Sequence, residues 1–537
     1  MRRARSCSLV VAAVAVAALA PQAGAVPAAN EGPAVAVSGA SPIAGCDGDE
    51  PGAGTNFVNS EVEPWVSVNP ADGPDGDGIL GDNLIGAWQQ DRWGNGGSEG
   101  IVTASSVDGG LSWTINANTK SSICTGGTAA NGGNYQRSSD LCVDFSPDGT
   151  AYLMTLSVDT NPGGFGLHPN AMLVMRSTDG GATWSDPITL RRDENPNVLN
   201  DKNTLTADPN DSSFAYAVWD RLAGPPSENP NPNPFENAPA SRGPTWFSRT
   251  TNGGDSWEPA RRIFEPGTQN QTIGNQIVVL PDNERFDGEL VNVFDLIQNR
   301  TNRPPRRGFS INVIRSSDHG GTWTRRPILV DRHNTFQGIV VDPDDPNPVT
   351  RTVRTGDIIP QITVDPNSGA IYVVFQDSRF GGVRSSIAFT QSLDGGLSWS
   401  PTIKVNKTPT NISPGNQQAF NPVVSVLDDG TIGVRYSDFR ANEAAPEIEP
   451  LATDEFLVHC HPTTPTACTD PANWGAEVKQ TDASYDMRQA PFAGGWFVGD
   501  YVGLDTDGED FLPLWAQPFG GDPANTFVRR VGLVTGP

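Results

Sequence analysis

One octet recurs five times along the chain, and its spacing leaves few architectures open. Ser106–Trp113 reads SVDGGLSW, Ser177–Trp184 STDGGATW, Thr250–Trp257 TTNGGDSW, Ser316–Trp323 SSDHGGTW and Ser392–Trp399 SLDGGLSW. The period is roughly 70 residues, too long for most solenoids and suited to a four-stranded propeller blade with its loops. In each octet an acid or amide (Asp108, Asp179, Asn252, Asp318, Asp394) can accept backbone N–H bonds across a turn. The neighbouring glycines admit positive φ, and the tryptophan can pack between blades. Five copies of one turn argue for a structural element, so chemistry is to be sought elsewhere.

A second repeat supports the first. Seven pairs of apolar runs flank turns rich in Asp, Asn, Pro and Gly, among them LCVDFSPDGTAYLMTL, QITVDPNSGAIYVVF and PVVSVLDDGTIGVRY. These are hairpin signatures, and Gly 58 and Pro 46 in 537 residues suit a chain of short strands and many turns. The expectation is an all-β fold with a single β-propeller of seven four-stranded blades, six being the alternative. The last blade holds three strands, ending at Thr526–Val534. An open ring would expose strand edges, so a segment within about residues 34–60 is expected to supply the fourth strand and close the ring.

The N-terminus carries Arg2, Arg3 and Arg5, an apolar run from about Leu9 to Ala20, and Ala23-Gly24-Ala25. This is the pattern of a secretory signal peptide. The expected organisation is a signal peptide at 1–25, a leader at 26–53 and the propeller at 54–537, in a secreted, extracellular, monomeric protein. No later segment is long and apolar enough to span a membrane. In an oxidising compartment the economical disulfides are Cys124–Cys142 and Cys460–Cys468, leaving Cys46 over. A net charge of −26 disfavours nucleic acid and anionic membranes as partners. No cofactor is required and no metal ligand set stands out. Asp72–Asp82 reads as an extended turn, with a structural calcium as the alternative.

The octets resemble the Asp-boxes, or bacterial neuraminidase repeats, of the sialidase-like β-propeller superfamily, and the resemblance spans nearly the whole chain after residue 53. Such boxes occur in sialidases, in other glycosidases and in propellers that only bind, so the resemblance implies fold more strongly than activity. True sialidases usually have six blades and an F-R-I-P-type motif near their first arginine; this chain shows seven hairpins and lacks that motif.

Strand direction places the octets on one face and the functional loops on the other. Strand b ends with Gln89-Gln90-Asp91-Arg92, Asp220-Arg221, Gln376-Asp377-Ser378-Arg379 and Asp438-Phe439-Arg440 in four blades, with Asp295 and Arg300 as a looser fourth-blade version. Entering strand a are Glu63, Asp140, Asp201 with Lys202, Asp357, and Asp500 with Tyr501. Carboxylates there suit acid–base work and arginine forks suit an anionic ligand. The bland alternative for the repeated Asp–Arg pairs is a set of interblade salt bridges. Carried over from the resemblance, Asp91 is the acid/base, Arg92, Arg221 and Arg379 the substrate clamp, and Tyr501, activated by Asp500, the nucleophile. Tyr485 is a competing tyrosine. Arg300, Arg303, Arg306 and Arg307 form a basic loop for an acidic sugar, with a solvated Pro-rich loop as the plain reading. The expected function is a sialidase-like exo-glycosidase acting on an anionic saccharide of a glycan or glycoconjugate. The alternatives are a non-catalytic glycan- or protein-binding propeller, or a polysaccharide lyase using Tyr501.

Overall fold

The computed structural model describes residues 28–48, 54–160, 168–224, 242–298, 308–335, 339–342, 352–381, 384–444 and 450–534. The segment read as a signal peptide and the basic loop with Arg300 lie outside them. The described residues are all-β, with only short 3₁₀ turns between strands.

Among the described residues, 28 of the 31 strands fall into seven antiparallel groups of four; Ile339–Val341 and Thr352–Arg354 pair with each other, and Tyr485–Asp486 pairs with Ala452–Cys460. The first is Asn56–Val68, Leu84–Trp93, Ser98–Ser106 and Thr114–Asn116; the second Arg137–Phe145, Ala151–Val158, Asn170–Ser177 and Ile188–Asp193. The third runs from Val198–Ala207 to Arg261–Phe264 and the fourth from Asn270–Val279 to Ile328–His333. Gln361–Val364 opens the fifth, Ala419–Val426 the sixth and Gly503–Thr506 the seventh. Each of the seven sequence hairpins is the first strand pair of one sheet. Central strands are buried along their whole length, as in Leu84–Trp93 and Ala151–Val158, rather than at alternate positions. Sheets stacked face to face cover both sides of each strand, which is why burial is continuous along these runs instead of alternating. Buried tryptophans in the middle of the second strand keep their N–H satisfied: Trp88 donates to Gln90 Oε1 (2.8 Å), Trp219 to Asn200 Oδ1 (2.9 Å) and Trp515 to Gln517 Oε1 (2.8 Å).

Asp510–Phe519 and Asp522–Val534 continue the seventh sheet, and Ala28–Ala36 pairs antiparallel with the latter, from Ala28 opposite Val534 to Ala36 opposite Phe527. The fourth strand therefore comes from the leader, but from 28–36 rather than from within 34–60. Residues from Asn56 onward are already taken as the first strand of the first sheet. A cavity of about 220 Å³ is lined by residues of the first strand, or those just before it, in all seven sheets, at 65–67, 143–144, 204–206, 276–277, 361–363, 423–425 and 502–505.

The octets sit between the third and fourth strands of sheets one to five and share one hydrogen-bonded turn. In the fifth, Asp394 Oδ1 accepts from the Ser398 amide (2.8 Å) and from Ser392 Oγ (2.8 Å), and the Gly396 amide donates to Ser392 Oγ (2.8 Å). The same contacts recur at Asp108, Asp179 and Asp318, and Asn252 reproduces them with an amide. The glycine five residues into the octet abuts the preceding sheet: a Cβ on Gly320 would lie 2.5 Å from Phe247, and one on Gly254 2.6 Å from Tyr152. Trp184 donates to Thr103 Oγ1 of the first sheet (3.0 Å), and Trp323 packs edge-on against Phe247 of the third. In the sixth sheet a disulfide loop takes the octet's place. Cys460 pairs with Cys468, and Trp474 packs edge-on against Phe389 of the fifth sheet.

The other disulfide is Cys46–Cys124, not Cys124–Cys142. Cys142 is a buried free thiol on the second sheet, its Sγ donating to the Leu205 carbonyl at 3.3 Å among apolar side chains. The leader folds back across the first sheet to reach Cys124, a long-range event that residue spacing does not show.

Candidate functional site

The first strands carry a repeated backbone distortion. Glu63, Asp140, Lys202, Gly274 and Asn421 occupy corresponding positions with φ of 52°, 38°, 46°, 67° and 49°. Each sits at a register shift against the second strand. A left-handed residue bulged out of the ladder re-aims its side chain. Holding a non-glycine there costs about 1–3 kcal/mol, a cost found disproportionately at functional sites. The octets lie at the opposite end of the sheets, since Ser106 is opposite Leu84 whereas Gln89 and Gln90 are opposite Val62 and Glu61.

Three of these bulges bring Glu63, Asp140 and Lys202 together with Asp201, Asp500 and Arg354. Lys202 Nζ lies 3.0 Å from Asp500 Oδ2, 3.7 Å from Asp140 Oδ2 and 3.8 Å from Asp201 Oδ1. Arg354 grips Asp500 with a fork, Nε to Oδ1 at 3.1 Å and Nη2 to Oδ2 at 2.5 Å. Glu63 accepts from Gln89 Nε2 and, at 3.3 Å, from the Asp500 amide. All six groups are buried.

The surroundings split the carboxyl groups. Burial opposes ionisation of Asp500, but Arg354 and then Lys202 overcome it and hold the group well below the usual range. Asp140 is likewise lowered to about 2, the Lys202 charge outweighing burial. Burial pushes Glu63 up to about 7, with Lys202 opposing and Asp140 and Asp500 adding to the rise. Burial also lifts Asp201 well above the usual range, helped by Asp140 and opposed by Lys202. The Lys202 ammonium, although buried, is held charged by Asp140, Asp201, Asp500 and Glu63. Carboxyl groups pushed apart in this way can serve as proton donor and as permanent anion in one site.

Arg92 borders this cluster and differs from the other sequence-predicted arginines. It is 3% exposed, its Nη1 donates to Gln89 Oε1 at 2.5 Å, and its Nε has no partner. Among the described residues no carboxylate lies within 4.0 Å of it, whereas Arg354 does share its environment: both guanidinia stand over Phe497, at 5.1 and 4.4 Å from the ring centre. Burial, then Arg354, lower its proton affinity.

Arg221 is instead forked onto Asp193 of the second sheet (2.8 and 2.6 Å), and Arg379 joins Asp377 (2.6 Å) to Asp331 of the fourth (2.8 Å). These two are salt bridges between neighbouring sheets and do not share carboxylates or hydrogen-bond partners with Arg92. Asp91 has both oxygens engaged, accepting from Ser41 Oγ (2.6 Å) and the Asn59 amide (2.8 Å), so its contacts are those of a fastener for the leader. Tyr501 Oη accepts from the Leu141 amide at 2.9 Å, and its ring meets Trp65 edge-on. Burial and the Glu63 and Asp140 carboxylates push its phenol well above the usual range, so it stays protonated. Tyr485 donates to Glu455 Oε1 at 2.7 Å, within the sixth sheet and its connection, and shares no partner with the Lys202 cluster. Arg354 escaped sequence reasoning because it lies in the connection between the fourth and fifth sheets, outside both repeats; its one signal was a cation three residues before Asp357.

No protein-family model and no curated protein matches the chain. Among solved structures it is similar to a Dyadobacter fermentans protein of unknown function, at 12% identity and TM-score 0.45 over 95% of this chain and 100% of that one. It is also similar to the GH93 alpha-L-arabinofuranosidase of Fusarium graminearum (15%, TM-score 0.40, 76% and 92%) and to the NanB sialidase of Streptococcus pneumoniae (10%, TM-score 0.42, 95% and 99%).

Proposed function

We propose that the seven sheets form one closed propeller, exported by way of residues 1–25, and that the cluster around Lys202 processes a glycan carrying an anionic sugar. Arg92 carries the reading. A buried guanidinium without a carboxylate partner is costly, and it becomes favourable when a ligand brings the missing negative charge. The charge balance agrees. Lys202, Arg354 and Arg92 face Asp140 and Asp500, whose carboxyls the cations hold below the usual range, while burial raises Asp201 and lifts Glu63 to about 7. In a chain of net charge −26, three cations gathered in one buried cluster depart from the overall charge.

In this reading Glu63, not Asp91, is the proton donor to the leaving oxygen, and Asp140 is the permanent anion that stabilises the positively charged sugar. Arg92 and Arg354 hold the acidic group of the substrate. The segment Ala490–Phe497 packs against the two arginines: the Ala493 carbonyl accepts from Arg354 Nη1 (3.1 Å) and the Phe497 ring lies under both guanidinia.

The burial of the whole cluster favours a second reading, a charge-paired knot that fixes the strands of a propeller that binds without turnover. Arg92→Met separates the two. If the arginine waits for an anion, the variant unfolds at the same or higher denaturant concentration and loses turnover of uronate-containing or sialylated glycans. If the knot is structural, the variant is less stable and no glycan is turned over by either form.

A further inference from the structure

We propose that the loop Asp72–Asp82 of the first sheet is a calcium site formed by Asp72, Asp75, Asp77 and Asp82. It joins the first two strands of that sheet, at the octet end, remote from Lys202. Asp72, Asp75 and Asp77 are exposed, and one carboxylate oxygen from each lies within 4.8 Å of the others. Three acids at the surface are commonplace by themselves. The second observation is Asp82, which is 8% exposed and whose Oδ1 has no hydrogen-bond partner.

That oxygen faces the same gap as the exposed group. The point that a Cβ on Gly73 would occupy is 3.2 Å from Asp75 Oδ1 and 3.4 Å from Asp82 Oδ1, so glycine leaves open the space between them. Among the described residues none of the four takes part in a salt bridge. The segment from 69 to 91 contains no lysine or arginine. Asp507, next to Gly81, is already neutralised by Arg530, so that cation is committed elsewhere. Four clustered carboxylates with one buried and unpartnered call for a hard cation, and an irregular, all-oxygen, loop-borne set suits calcium better than the octahedral demands of magnesium.

A cation here would have mechanical consequences. The loop's Pro74 lies against Gly180 of the second octet, and the Asp82 carbonyl accepts from the Gly109 amide of the first at 2.9 Å. Calcium would therefore pin the first sheet to the second and to the turn at Asp507 of the seventh, across the place where the two ends of the chain meet.

The test is equilibrium dialysis of the chelator-treated full chain against calcium chloride, with thermal unfolding recorded in calcium and in chelator. One calcium per chain is expected, with Kd on the order of 10⁻⁴ M, the range of extracellular sites. Unfolding should move to higher temperature in calcium. Asp82→Asn and, on the exposed side where folding is not at risk, Asp75→Asn should each weaken binding about tenfold or more and reduce the thermal shift. Absence of binding at millimolar calcium, or unchanged binding in Asp75→Asn, would overturn the proposal.

Discussion

Two residues show how local chemistry divides between architecture and function. Gly320 has φ 79° and its missing side chain leaves room for the Phe247 ring. Gly320→Ala should therefore cost about 2–4 kcal/mol in urea unfolding, through left-handed strain and overpacking together. A cost below about 0.5 kcal/mol, the range of unconstrained surface changes, would show that the octet glycine does not set the spacing between sheets. Glu63 makes the opposite kind of case. Its folded pKa of about 7 exceeds the ordinary 4.5, so the folded state holds the proton more tightly. Its contribution is greatest below pH 4.5, falls as the pH rises from there to about 7 and is flat above. Asp140 and Asp500 act in the reverse sense, losing stability as the pH falls below about 3.8. Urea midpoints measured across pH should peak near pH 4–5 by this linkage. Glu61, Glu99, Glu477 and Asp505, also raised by burial, contribute to the same neutral limb, so Glu63→Gln should make that limb shallower while leaving the acid limb in place; an unaltered limb would assign no part of it to Glu63.

At the level of elements, the repeats were readable because turn chemistry is local. An octet needs only its own eight residues, and a hairpin only its turn and flanking runs, so seven first strand pairs could be placed from sequence. What depended on chain closure could not. The closing strand Ala28–Ala36 and the Cys46–Cys124 bridge both require the leader to return to distant partners. Removing residues 28–36 exposes the edge of Asp522–Val534. The truncated protein should melt lower and aggregate on warming; an unchanged melting curve would mean that the strand is dispensable. Reducing Cys46–Cys124, or Cys46→Ser, should cost about 2–5 kcal/mol, read as a shift of the urea midpoint, whereas Cys142→Ala should leave both bridges intact.

For the whole molecule, the sequence identified the face and most of the acidic residues of the candidate site, but not how they pair. Arg221 and Arg379 resemble Arg92 in sequence, since each closely follows an acid at the end of a second strand. Packing separates them: two find carboxylates on neighbouring sheets, and the third is buried without one. That difference appears only when neighbouring sheets are assembled around the central cavity, and it is what directs the functional reading to an anionic glycan. The most direct measurement is release of the acidic sugar from uronate-containing and sialylated glycans by the wild type and by Arg92→Met, with unfolding curves for both. The expected result is turnover by the wild type alone, with the variant at least as stable. Equal turnover by the two proteins, or none by either together with a destabilised variant, would contradict it.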